Sequence, residues 1–311
     1  MELGFAAFGD ANWDPETGRR ISEAQAIRNV VESAVLADQV GLDWFGIGEH
    51  HTPEFPASAG APILAAIAAQ TTRIKLSTAV NVLSTDDPVR VYEQYSTVDA
   101  ISNGRVELIP GRGSSIESFP LFGYDLRDYD TLFAEKLELL LEINQNERVV
   151  WKGKTRPDLN GEYVPPRAEH GPIPIWVGSY KPRMLALTGA VGDGWLPSIE
   201  YIEGGLRGLA DANTRIDDAA REAGRDPAAV RRLMNFMRAS IAPAGQGFLD
   251  GPPQAWVDRL TMLALDHGVS AFLVGGDDPT TIARFGAEIA PAVRENVEHA
   301  RQPAKTASQA S

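Results

Sequence analysis

The chain is most constrained by its rhythm. Short apolar runs without helical period alternate with longer segments whose apolar residues recur at helical spacing. Strands are expected at residues 3–8, 43–48, 74–83, 106–109, 173–178, 194–197, 231–242 and 269–274. Helices fall between them. The first opens at Ser22, with Gln25 three residues on as a capping signature, and Gly41 stops it after Val40. Others are expected over residues 61–70, 89–102, 128–144, 182–191, 206–223 and 253–267, and a last one from Pro279 to His299. Strict alternation of this kind builds a parallel sheet with right-handed crossovers. Eight units in 311 residues predict an α/β fold, a TIM barrel of eight parallel strands and eight helices. The competitor is an open doubly wound sheet. For dinucleotide binding it would need Gly-x-Gly-x-x-Gly after the first strand, and that motif is missing.

One stretch breaks the rhythm. Residues 147–172 hold several glycines and prolines and read as an insertion after the fourth helix, with a small hairpin turning at Asn160-Gly161. A single domain is expected over residues 1–300, followed by a polar, Ala-rich tail at 301–311 expected to be disordered. Composition narrows the function. The chain has no Cys, which removes disulfides, thiolate metal sites and thiol nucleophiles. Its formal net charge of −13 argues against nucleic acid or an anionic membrane as a partner. Residues 1–5 lack a basic n-region, so no signal peptide is expected and the cytoplasm is the expected compartment.

In a barrel of this type the chemistry lies where the strands end. Gly48-Glu49-His50-His51 ends the second strand. Adjacent residues on extended chain point to opposite faces, so the two histidines do not readily share one metal ion. No metal site is expected, and the alternatives are an acid–base or substrate-contacting His and a packed, hydrogen-bonded one. Ser77-Thr78-Ala79-Val80-Asn81 ends the third strand with small residues, which suit either a flat ligand or tight interior packing. After the fourth strand, Gly111-Arg112-Gly113-Ser114-Ser115 offers a guanidinium fork and backbone N–H groups to a phosphate. After the fifth, Gly178-Ser179-Tyr180-Lys181-Pro182-Arg183 opens a helix, a second anion-ready loop. Two such loops suggest one ligand with a phosphate tail. With no Walker spacing, nucleophile elbow or Schiff-base lysine, a redox cofactor is the natural inference.

These segments resemble the luciferase-like monooxygenase family. The resemblance rests on Gly48-Glu49-His50-His51, on residues 76–83 with Pro88-Val89-Arg90, on residues 99–105, and on Gly111-Arg112-Gly113, and it extends over about residues 1–295. It implies a TIM barrel with a reduced flavin at the strand C-termini. It implies that Arg112 and Gly113 lie near the flavin phosphate, that Gly178, Ser179 and Tyr180 form the second phosphate loop, and that Ala79-Val80, joined by a non-prolyl cis peptide, backs the ring together with Asn81. It implies that His50 is the acid–base residue. The implied reaction uses reduced FMN and oxygen on a small apolar or carbonyl-containing substrate, incorporating oxygen. A separate flavin reductase would supply the FMN, and a homodimer is expected. A deazaflavin coenzyme transferring hydride is the rival reading, favoured by residues 174–179 and 181–185. A non-catalytic flavin-binding barrel is the third. Residues 10–20, 115–128 and 147–171 are expected to shape the pocket, with Trp13, Phe119, Phe122 and Tyr124 either gripping a guest or packing the loops down.

Overall fold

The computed structural model describes residues 1–13, 17–113, 116–245 and 247–302. Eight parallel strands follow the chain in order: β1 Glu2–Ala7, β2 Trp44–Ile47, β3 Lys75–Thr78, β4 Val106–Glu107, β5 Trp176–Val177, β6 Gly194–Trp195, β7 Arg231–Phe236 and β8 Ala271–Gly275. Hydrogen bonding runs in the order β4-β3-β2-β1-β8-β7-β6-β5. The two remaining edges meet at Leu108 and Ile175, a parallel bridge in which Leu108 N–H donates to Pro174 C=O and Trp176 N–H to Leu108 C=O, both at 2.9 Å. The sheet is therefore a barrel, as the alternation predicts.

The helices that return the chain are α1 Glu23–Gln39, α2 Gly60–Ala68, α3 Pro88–Ser102, α4 Tyr129–Gln145, α5 Pro182–Val191, α6 Leu206–Glu222, α7 Pro253–Asp266 and a composite α8. The α8 helix begins at Pro279–Arg284, passes through a π-turn at Phe285–Ile289 and continues as Ala290–Arg301. Local chemistry sets their starts. The Ser22 hydroxyl accepts Gln25 N–H, and Asp87 accepts Val89 and Arg90 N–H ahead of Pro88. Asn103, in left-handed conformation at φ 60°, ends α3.

Burial divides into two layers. Inside the barrel Ala6, Trp44, Ala79, Ile109, Trp176, Leu196, Leu233, Ala271 and Leu273 form their own cluster. Trp44 and Trp176 meet edge to face there, with centroids 5.3 Å apart. The larger layer lies between strands and helices and includes Phe45, Leu76, Leu140, Met234 and Phe272. Strand contacts are close enough to demand glycine at Gly4, where a Cβ would fall 2.1 Å from Trp44 O.

The base of the barrel is closed by charge. Lys75 Nζ lies 2.9 Å from Glu2 and also pairs with Glu107, while Arg231 pairs with Glu2 and approaches Glu107 at 3.6 Å. The indole N–H groups of Trp44 and Trp176 donate to Glu2 and Glu107 at 3.0 and 2.7 Å. Burial pushes the Glu2 carboxyl up, but its bonds to Lys75 and Arg231 more than reverse that and hold it below the usual range.

Several expected elements differ. The third strand does not run unbroken to residue 83. It stops at Thr78, Ala79-Val80 is a cis peptide, and Asn81–Val82 then pairs with Pro110–Gly111. The seventh strand stops at Phe236, and Ala239–Ile241 pairs separately with Leu249–Gly251. The insertion contains the expected hairpin, Arg148–Trp151 against Leu159–Tyr163, but Asn160-Gly161 lies inside the second strand. Gly161, at φ 106°, accompanies a register shift opposite Val149 and Val150, so it serves as a bulge, and residues 152–158 make the turn. A short helix, Ser118–Phe122, had no periodic signal. The last helix continues past His299 to Arg301, and residues 303–311 of the expected tail lie outside the described residues. So do Ser114 and Ser115 of the first anion loop and Asp14, Pro15 and Glu16 of the first long loop. Among the described residues no helix is long and apolar enough to cross a membrane.

Candidate active site at the C-terminal mouth of the barrel

A cavity of about 420 Å³ opens at the C-terminal ends of the strands, within the usual range for a small-molecule site. The segments after β1 to β7 each contribute to it: Phe8, Glu49 and His50, then Ala79, Val80 and Val82, then Gly111–Gly113, Gly178 with Tyr180 and Lys181, Leu196 and Ser198, and finally Asn235 and Met237. Residues scattered over the sequence meet here because parallel strands deliver all their C-termini to one face.

Val80 is the centre of one wall. Its Cγ2 leaves no room for a side chain at position 111, where a Cβ would lie 2.4 Å away. At Gly178 the opposite holds. A Cβ there would meet only Leu196 O at 3.7 Å and Val80 Cγ1 at 3.9 Å, so this glycine leaves volume open beside Val80. Glu49, which also lines the cavity, anchors this wall. Its N–H donates to Val80 C=O at 3.1 Å, and its carboxylate accepts Val82 N–H and Asn81 Nδ2 at 2.9 Å each.

The two histidines diverge. His50 lines the cavity, and its Nδ1 lies 2.9 Å from Glu117 Oε1. His51 Nε2 lies 3.0 Å from Glu49 Oε1, on the far side of the segment. Among the described residues no group of three or more His, Asp or Glu side chains converges as a metal site. Two further carboxyls lie on this face. Asp10, after β1, is pushed up by burial and only partly brought back by His50. Asp277, after β8, is raised to about 6 by burial and by Asp10, and its buried Oδ2 has no hydrogen-bond partner.

Two cations line the same cavity as Val80. Arg112 Nη1 pairs with Asp130 Oδ1 at 2.8 Å, and its guanidinium lies 5.1 Å from the Tyr129 ring centroid. Lys181 follows the next strand and is exposed. Burial raises the Tyr180 phenol above its ordinary value, so it is neutral at physiological pH. Its oxygen accepts Ser198 N–H at 2.8 Å, which leaves its own proton to donate.

Of the residues singled out from sequence, His50, Ala79, Val80, Arg112, Gly113, Gly178 and Tyr180 converge on the cavity wall. Asn81 and Ser179 do not. Asn81 Nδ2 donates to Glu49 at 2.9 Å, and its Oδ1 is buried without a partner among the described residues. Ser179 is 1% exposed, its hydroxyl bonds Thr188 Oγ1 at 3.0 Å, and its carbonyl accepts the Trp195 indole N–H at 2.8 Å. It contributes packing beneath the loop rather than a hydroxyl in it. Phe119 and Tyr124 pack the loop down, against Tyr129 at 5.6 Å and under Lys136 at 4.0 Å, whereas Trp13 and Phe122 are exposed. Sequence reasoning missed Asn235, Met237, Leu196 and Glu117. The position of Asn235 near the end of a long strand was the available signal for it, and nothing local marks Glu117.

The wall fits a flavin-type ring. Asn235 lines the cavity and its Oδ1 is buried without a partner among the described residues, an acceptor of the kind that takes the N3–H of an isoalloxazine or deazaflavin. Val80, Leu196 and Met237 offer apolar surface, and the open volume at Gly178 admits a planar group close to the backbone.

The chain is 28% identical over 177 residues to an F420-dependent glucose-6-phosphate dehydrogenase of Amycolatopsis mediterranei, covering 54% of this chain and 53% of that protein. It thus spans about half the length of the curated relatives it matches. Its fold matches the monooxygenase RslO1 of Streptomyces bottropensis at a TM-score of 0.81 and 19% identity, over 94% of this chain and 99% of that one. It also matches the oxygenating constituent of the 3,6-diketocamphane monooxygenase of Pseudomonas putida, solved in complex with FMN, at a TM-score of 0.74 and 19% identity, over 94% and 98% of the two chains. The model of the luciferase-like monooxygenases matches residues 1–246, and this chain belongs to that family of oxidoreductases.

Proposed function

We propose that the chain is a flavin-dependent monooxygenase that uses reduced FMN and oxygen on a small apolar or carbonyl-containing substrate. The observation that carries this reading is the order of groups around the cavity mouth. His50 follows β2, Val80 follows β3, Arg112 follows β4 and Lys181 follows β5. An apolar platform thus separates a proton-handling group from a pair of cations. On a chain of net charge −13, two cations beside one cavity match a single compact phosphate better than a long polyanionic tail.

Each residue then has a task. Arg112 exchanges its exposed partner Asp130 for the phosphate, with Lys181 and the Tyr180 hydroxyl beside it. Val80 backs the ring, and Asn235 Oδ1 takes the ring's N–H. Phe8, Leu196 and Met237 exclude water. His50 takes or gives a proton at the reacting end of the substrate. The bound flavin supplies the redox chemistry. His50, Ala79, Val80, Arg112, Gly113, Gly178 and Tyr180 are the proposed site residues. A separate reductase is the proposed source of reduced FMN, a homodimer the proposed assembly and the cytoplasm the proposed compartment.

A deazaflavin-dependent hydride transfer is the second reading, supported by the F420-dependent dehydrogenase among the relatives. Anaerobic titration of the apoprotein with FMN and with the deazaflavin separates the two. The proposal expects micromolar or tighter binding of FMN, weaker binding of the deazaflavin, and oxygen uptake by the reduced FMN complex. Preference for the deazaflavin with no oxygen uptake would overturn it.

A further inference from the structure

We infer that Glu117 is a positioning residue that holds His50 in the tautomer protonated at Nδ1, leaving Nε2 as the basic ring nitrogen. A carboxylate only accepts, so the 2.9 Å contact between Glu117 Oε1 and His50 Nδ1 requires the hydrogen on Nδ1. The pair is sheltered, with side-chain exposures of 16% for His50 and 23% for Glu117. Burial alone would push the Glu117 carboxyl up. The bond and charge of His50, with the backbone N–H groups of Glu117 and His51, hold it below its ordinary value, so it is the ionised acceptor this assignment needs.

Both partners are fixed from outside. Glu117 immediately precedes the short helix Ser118–Phe122, whose Phe119 is 1% exposed and packs on Tyr129. The His50 ring packs against both Phe8 and Phe55, with centroids 5.1 and 5.2 Å away, and those two rings also meet each other at 5.8 Å. No other carboxylate competes for the ring by hydrogen bond among the described residues. Glu49 is taken by His51, Asn81 and Val82 N–H, and Asp10 acts on His50 through charge alone. Glu117 itself does not line the cavity. Its influence on chemistry therefore runs through the imidazole, by fixing which nitrogen is basic and by stabilising the ring when it carries a proton. The tautomer stands on geometry alone, and its catalytic consequence rests on the proposed flavin site.

The test is long-range ¹H–¹⁵N NMR of the 311-residue apoprotein, at a pH where the ring is neutral, with H50N assigning the His50 signals among five histidines. The wild-type ring should show the Nδ1–H pattern. E117Q, whose amide oxygen still accepts, should keep it, and E117A should shift toward the Nε2–H form. A wild-type ring in the Nε2–H form, or an E117A spectrum unchanged from wild type, would overturn the inference. FMN affinity measured on the same proteins should agree within about twofold, since Glu117 is outside the cavity wall. Loss of FMN binding by the wild type itself would sink the flavin reading and leave the NMR result to decide the tautomer. In turnover, E117A should lose at least tenfold in kcat with little change in KM, and E117Q should recover part of it.

Discussion

At the base of the barrel Glu2, Lys75, Glu107 and Arg231 pair with one another, and two indole N–H groups fill the remaining acceptor positions. At the mouth, among the described residues, Asp277 Oδ2 and Asn235 Oδ1 are buried without partners, Asp10 is crowded by burial, and Arg112 pairs with an exposed Asp130. The same kinds of side chain do different jobs at the two ends. A satisfied network closes the fold and leaves few groups free for a ligand. Unsatisfied groups around a cavity lower stability and are available to a ligand.

The contrast predicts where mutations act. The largest effect belongs to the base. E107A removes one partner from a buried group and should cost about 3–5 kcal/mol in denaturant unfolding, while FMN affinity stays within about twofold of wild type. Comparable loss of binding without loss of stability would erase the distinction between the ends. R112A should do the reverse. FMN binding should weaken by about 1.5–3 kcal/mol, roughly tenfold to a hundredfold, and unfolding should change by less than about 1 kcal/mol because its partner is exposed. Unchanged affinity in R112A would remove this residue from the phosphate position.

A smaller effect concerns Asp277. Its folded value of about 6 lies above the ordinary 3.8, so between those values the folded chain holds a proton that the unfolded chain has released. Stability contributed by this position therefore falls as pH rises through that window. D277N should raise stability at pH 7 by on the order of 1–2 kcal/mol and flatten that slope. Destabilisation in D277N would mean that Oδ2 has a partner after all. At the base, Glu2 gives the opposite dependence and Lys75 the same sign in a far more alkaline window. Glu2, lowered, contributes stability that is lost as acid carries pH down through its folded value. Lys75, raised above 10.5, contributes stability that is lost only as pH climbs through its higher folded value.

Much of the barrel was legible because burial leaves a periodic trace. The strand positions and the two anion-ready loops followed from apolar runs and from glycines at strand ends. What escaped was anything decided between distant segments. His50 and Glu117 are 67 residues apart, and neither sequence neighbourhood reports the other. Ser179 has the right residue type in the right loop, yet the start of α5 turns its hydroxyl inward to Thr188. Asn160-Gly161 carries the composition of a turn, but the chain has already reversed direction over residues 152–158. Composition specifies which backbone angles are allowed there, and tertiary pairing chose a bulge instead.

The most direct test of the flavin site fills it. Gly178 has no positive φ, and a Cβ at this position would meet only ordinary contacts, so G178L should fold while occupying the volume beside Val80. FMN titration of wild type and G178L, followed by flavin fluorescence and paired with unfolding curves, should give saturable binding to the wild type and none to the variant at equal stability within about 1 kcal/mol. A G178L protein that folds and binds FMN as tightly as wild type would contradict the placement of the cofactor at this mouth.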